Sequence, residues 1–150
     1  MTANDLAATN IGGKGGPGLV LYDGVCVLCS RWFRFVAQRD VERRFLFTAI
    51  QSAYGRALAL KLGIDPDNPD TNAVLLDGEV YLRSDSALAV LSALPGWRWT
   101  RVFRFVPKPL RDPLYTLIAR NRYRLFGTLP VCDLGGAAFS DRVISPNRPL

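Results

Sequence analysis

The sequence predicts a single α/β domain, a mixed β-sheet flanked by helices, with an additional helical extension toward the C-terminus. Three observations predict it. Short apolar runs alternate with helical-period segments in the order β, α, β, α, β, β, α, followed by further helix. A Cys-x-x-Cys pair, Cys26 and Cys29, stands where the first apolar run gives way to the first helical segment. An Asp-Gly dipeptide, Asp77-Gly78, joins two short apolar runs as a hairpin turn.

Each element has a local reason. Residues 1–17, MTANDLAATNIGGKGGP, are expected to be a flexible Gly-rich leader; they lack the basic and apolar regions of a secretory signal. Gly18 to Tyr22 (GLVLY) is a buried strand, ended by Asp23-Gly24. From Cys26 to about Arg39, Leu28, Trp32, Phe35 and Val36 recur at helical spacing between polar residues. Arg44 to Thr48 is the second strand, and Ala53 to Leu62 a helix stopped by Gly63. Asp65 to Asp70 (DPDNPD) is a loop. Ala73–Leu76 and Val80–Leu82 form the hairpin. Ser84 caps a helix running to about Leu94, where Pro95-Gly96 stops it. Pro107 and Pro109 separate an aromatic-basic segment from a last helix, about Leu110 to Phe126. There Leu110, Leu114, Leu117, Ile118, Leu125 and Phe126 form an apolar stripe expected to pack on the sheet. The domain spans residues 18–132, and residues 133–150 read as an irregular tail. A strand feeding a CxxC at a helix start, then βα and a terminal ββα, is the thioredoxin-like pattern.

Composition narrows the chemistry. With 49 % apolar and 21 % charged residues, the 150-residue chain has a globular composition and no run long enough for a membrane span. There is no histidine, so His-based catalysis and His metal ligands are excluded. Three cysteines cannot make a disulfide framework, and the leader argues for a reducing, cytoplasmic setting. The net charge is +6, with eight basic residues and one acid between Arg98 and Arg124.

Cys26 and Cys29 lie on one side of the first turn of a helix, close enough to bond. The helix N-terminus favours a thiolate, and Arg31 and Arg34 are expected to add positive charge. The more exposed Cys26 is expected to attack a substrate disulfide, and Cys29 to resolve the mixed disulfide. A zinc or iron–sulfur site is short of ligands, and two inert core cysteines are the remaining reading. Asp23 either shapes the turn or carries the proton of Cys29. Cys132 could be a second resolving cysteine, a metal ligand or a bystander.

YDGVCVLC (Tyr22 to Cys29) resembles the signature of the DCC family of predicted thiol-disulfide oxidoreductases, named for an Asp and two Cys matching Asp23, Cys26 and Cys29. SDSALAVL (Ser84 to Leu91) and PKPLRDPLYTLIARNRYRLFG (Pro107 to Gly127) are similar to the family's later blocks, so the resemblance runs from about Leu19 to Cys132. It implies a thioredoxin-like fold and disulfide exchange. A second similarity is to glutaredoxins. Asn72 falls at the position of their cis-proline, and a trans bond is expected there because a non-proline cis bond costs about 3–4 kcal/mol. Ser84-Asp85 matches their glutathione-holding Ser-Asp, or is an ordinary cap. Asn72, Ser84 and Asp85 are thus the candidate substrate-binding residues.

Two functions compete. One is a thiol-disulfide oxidoreductase acting on a disulfide-containing protein or a small thiol, with no bound metal or organic cofactor and with glutathione or a protein dithiol as reductant. The other is a non-enzymatic module docking on nucleic acid or an anionic membrane through the basic, aromatic Arg98–Arg124 region.

Overall fold

The computed structural model describes residues 11–67 and 71–128. Four strands, β1 (Gly18–Tyr22), β2 (Phe45–Ala49), β3 (Ala73–Leu76) and β4 (Glu79–Leu82), form one sheet in the order β2-β1-β3-β4. β1 and β2 run parallel, with Val20 opposite Phe47, and the other pairs are antiparallel. The helices are α1 (Val27–Arg39), α2 (Ala53–Lys61), α3 (Arg83–Ala93) and α4 (Lys108–Phe126), with a 3-10 helix at Arg98–Phe105. This is the thioredoxin-like arrangement with a C-terminal helix added.

β1 is the centre of the core. All five of its residues are buried, which requires cover on both faces. The side-chain period of two divides them. Val20 and Tyr22 join Phe33 and Val36 of α1, Phe47 of β2 and Val90 of α3. Leu19 packs with Tyr54 and Leu58 of α2, and Leu21 with Ile50 and Ala59. The Tyr22 ring stacks on Phe33 at 4.9 Å, and Phe33 meets Phe47 edge-on at 4.6 Å. That aromatic column fixes the start of α1 over the end of β1. Asp77 and Gly78, at φ 54° and 84°, turn the hairpin with the left-handed backbone that its strand twist favours.

Four expectations are corrected. The leader boundary falls before residue 17: Ile11 is buried against Leu19, Tyr54 and Leu58, and Gly12 is bonded to both Pro17 and Gly78. The second strand lies one residue later than expected. Ser84 does not cap α3; Leu82 holds that position, because the Ser84 hydroxyl is taken by Asp112 of α4. The apolar stripe of α4 does not pack on the sheet. Leu110, Leu114, Leu117, Ile118, Leu125 and Phe126 are all exposed, and the helix docks instead through Tyr115, Ala119 and Arg122. Residues 133–150 and Cys132 lie outside the described residues.

Candidate active site

Between β1 and α1 the chain is turned by Asp23. Its Oδ1 accepts the Val25 N–H (3.1 Å) and the Gln51 side-chain amide (2.6 Å), while Gln51 Oε1 accepts the Gly24 N–H (2.9 Å). Its Oδ2 accepts from Arg122 Nη2 (3.1 Å) and from the Tyr123 hydroxyl. Four donors fill the acceptor capacity of a carboxylate. Asp23 is therefore a turn former and also the anchor for α4, through a buried ion pair with a residue 99 positions away.

Cys26 is the N-cap residue of α1 and Cys29 lies in its first turn; both are free thiols. The expectation of an exposed Cys26 is corrected. Cys26 is 0 % exposed and Cys29 5 %. The chain leaving α4 lies along the start of α1: the Val27 N–H donates to Gly127 O (3.4 Å), and Cys26 pairs with Thr128 in an isolated β-bridge.

The two sulfurs differ sharply in charge preference. The Cys26 thiol is lowered from its ordinary 9.0 to about 6. The thiol of Cys29 donating to it is the largest cause; burial works against the shift, and the Cys29 N–H, the Arg122 charge and the Leu28 N–H add to it. Cys26 makes no capping hydrogen bond through its side chain, so the backbone N–H groups act on it as helix-end dipoles. Cys29 is pushed up by the same hydrogen bond, then by burial, the Cys26 charge and the Asp23 carboxylate, with Arg122 opposing. Asn72 Oδ1, 3.8 Å from the Cys29 sulfur, is the alternative acceptor for its one S–H. The cation acting on the pair is thus Arg122 of α4. Arg31 and Arg34, expected in that role, are exposed on α1 and are not among the charges that shift either thiol.

Beside Cys29 lies a cavity of about 190 Å³. Leu28, Trp32 and Ile118 give it apolar walls, and Cys29, Asn72 and Arg122 its polar side. Asn72 is therefore at the site. The Thr71–Asn72 bond is trans, and the Asn72 N–H donates to the Tyr115 hydroxyl (3.2 Å). Ser84 and Asp85 are not brought to the cavity. Ser84 bonds Asp112, and Asp85 is paired to Lys108 (2.7 Å) and Arg111 (3.0 Å), tying α3 to the start of α4. Burial would raise the Asp85 carboxyl, but these two cations lower it.

Sequence reasoning missed Arg122, Tyr123, Tyr115 and Gln51. The available signal was that Tyr115, Ala119 and Arg122 recur at i, i+4 and i+7, a second face of α4 distinct from its leucines. Among the described residues, no three His, Cys, Asp or Glu side chains cluster as metal ligands, and no helix is long and apolar enough to cross a membrane.

The sequence profile of the DCC1-like thiol-disulfide oxidoreductase family matches residues 20–128, a span holding every site residue described above. The chain is 39 % identical over 127 residues to the uncharacterized protein YuxK of Bacillus subtilis (strain 168), covering 84 % of this chain and 93 % of that one. It is 34 % identical over 118 residues to a chloroplastic DCC family protein of Arabidopsis thaliana, covering 77 % of this chain and 69 % of that one. No solved structure gives a significant match.

Proposed function

The chain belongs to the DCC1-like thiol-disulfide oxidoreductase family, and from that premise we propose that it is an enzyme exchanging disulfides through Cys26 and Cys29. The observation that carries this reading is the opposite bias on two thiols one helical turn apart: Cys26 is lowered to about 6 and Cys29 is held protonated. A thiolate and a waiting thiol are what attack and resolution require.

The steps balance as follows. The Cys26 thiolate attacks one sulfur of a substrate disulfide; a Cys26–substrate disulfide forms and the other half leaves as a thiolate. Cys26 then carries no charge and no longer accepts the Cys29 proton. The largest cause of the raised Cys29 value is thereby gone, and so is the repulsion from Cys26. The Cys29 proton passes to the departing thiolate, directly or through water. Cys29 attacks Cys26, forming the Cys26–Cys29 disulfide and releasing the reduced substrate. Two glutathione thiols, or one protein dithiol, return the pair to the reduced form and leave oxidised themselves. No bound metal or organic cofactor is needed, and a reducing compartment such as the cytoplasm suits this direction. Asp23 acts through Cys29 by holding its proton until Cys26 has reacted. Because Cys26 is buried beside Gly127–Thr128, attack follows displacement of that segment.

The test is Cys29→Ser. With no resolving thiol, a Cys26 mixed disulfide accumulates, and mass spectrometry identifies the adduct. Absence of any adduct, together with no disulfide reductase activity in the unmodified protein, overturns the reading.

A further inference from the structure

The leucine-bearing face of α4 and the chain leading into it form a surface that a water-facing helix does not need. At about 100° per residue, Leu110, Leu114, Leu117, Ile118 and Leu125 fall within an arc of roughly 100° on the helix. Leu110, Leu114, Leu117 and Leu125 are 60–68 % exposed. The face that docks on the domain, marked by Tyr115, Ala119 and Arg122, lies to one side of this arc. Ahead of the helix, residues 101–110 (RVFRFVPKPL) are exposed without a break, and Phe105 is 87 % exposed. Large apolar side chains gathered in this way mark an interaction site.

Charge selects the partner. Arg120 and Arg124 border the leucine arc, and Arg101 and Arg104 interrupt the exposed aromatic segment. All four are exposed, and none has an ion-pair partner among the described residues. We propose that this surface docks the protein on an anionic lipid bilayer, with the leucines and Phe105 entering the acyl boundary and the arginines meeting lipid phosphates. An apolar stripe edged by arginines, lying in the interface plane, is the form of an interfacial helix. A second copy of the chain is a poorer fit, because the chain carries +6 and like charges would rim both faces. An RNA is a poorer fit because it could stack on the exposed Trp99, Phe103 and Phe105 rings but would leave the leucine arc of α4 uncovered. Ile118 belongs to the arc and also lines the cavity beside Cys29, so the docking face adjoins the thiol site. The proposal does not depend on the redox reading.

The experiment is co-sedimentation of the full chain with vesicles of phosphatidylcholine alone or mixed with phosphatidylglycerol. Binding is expected to the mixed vesicles and to be much weaker without the anionic lipid. Leu114→Glu with Leu117→Glu should weaken it by more than about tenfold at an unchanged melting temperature. Arg120→Gln and Arg124→Gln should each weaken it about fivefold, and they keep the test decisive if the leucine variant does not fold. Four results would overturn the proposal: no binding to mixed vesicles; binding that all of these variants retain; binding to polyuridylate that survives the leucine changes; or a dimer, abolished by those changes, in a protein that ignores vesicles.

Discussion

Replacing Arg122 with Met tests the join between α4 and the thiol site. The Arg122–Asp23 pair is 3.1 Å apart, with its side chains 5 % and 1 % exposed. Removing the cation leaves a buried carboxylate with neutral donors only, and breaking such a pair costs about 3–5 kcal/mol. That is a large fraction of the roughly 5–15 kcal/mol available to a domain. At about 2–4 °C per kcal/mol for this size, the melting temperature should fall by about 6–20 °C. Adding Asp23→Asn removes the orphaned charge, so the double variant should be more stable than Arg122→Met alone, a coupling that urea denaturation of the four proteins measures directly. A loss under about 1 kcal/mol for Arg122→Met, or a double variant worse than either single one, would refute the claim that this pair holds α4 over the site.

Three further outcomes follow from the same geometry. Alkylation of Cys26 should rise with pH to a plateau with a midpoint near 6, and Cys29→Ala, which has no donor, should move that midpoint upward, since the Cys29 hydrogen bond is the largest cause of the shift; an unshifted midpoint near 9.0 in the unmodified chain would contradict it. The sign also holds for stability. A lowered thiol adds nothing below its folded value and contributes fully above its unfolded one, so relative to Cys26→Ser the reduced protein should gain stability from about pH 6 to 9 and lose it again as pH falls through 6. Gly127 has φ 85° and ψ 179°, a backbone state open mainly to glycine; Gly127→Val should therefore unseat the segment beside Cys26 and speed its alkylation at fixed pH, and an unchanged rate would show that this segment does not gate the thiol.

The fold was legible where the information is local. GLVLY announced a fully buried strand, Asp77-Gly78 a hairpin, and the Cys26–Cys29 spacing a helix start with two thiols on it. The site was legible only on one side. Asp23 and the cysteines are within seven positions of one another, but Arg122 reaches them across 99 residues, and the i, i+4, i+7 spacing of Tyr115, Ala119 and Arg122 marks a second helix face without stating what that face meets. The leucines of α4 misled for a physical reason. An apolar stripe at helical spacing states that a face seeks burial, not whether the cover is the protein's own core or a partner. Ser84 and Asp85 failed as a cap for the same kind of reason: their side chains found Asp112, Lys108 and Arg111 in a helix beyond the local pattern.

The central claim is that Cys26 and Cys29 cycle between dithiol and disulfide. Equilibrating the purified chain in glutathione buffers of graded poise, then acid-quenching and weighing it, tests that claim most directly. The account predicts one two-electron transition, seen as the loss of two hydrogens from the protein mass, mapped to a peptide joining Cys26 to Cys29 and abolished by either Cys26→Ser or Cys29→Ser. A chain that keeps both thiols across the whole range, or that forms its disulfide elsewhere, would contradict it.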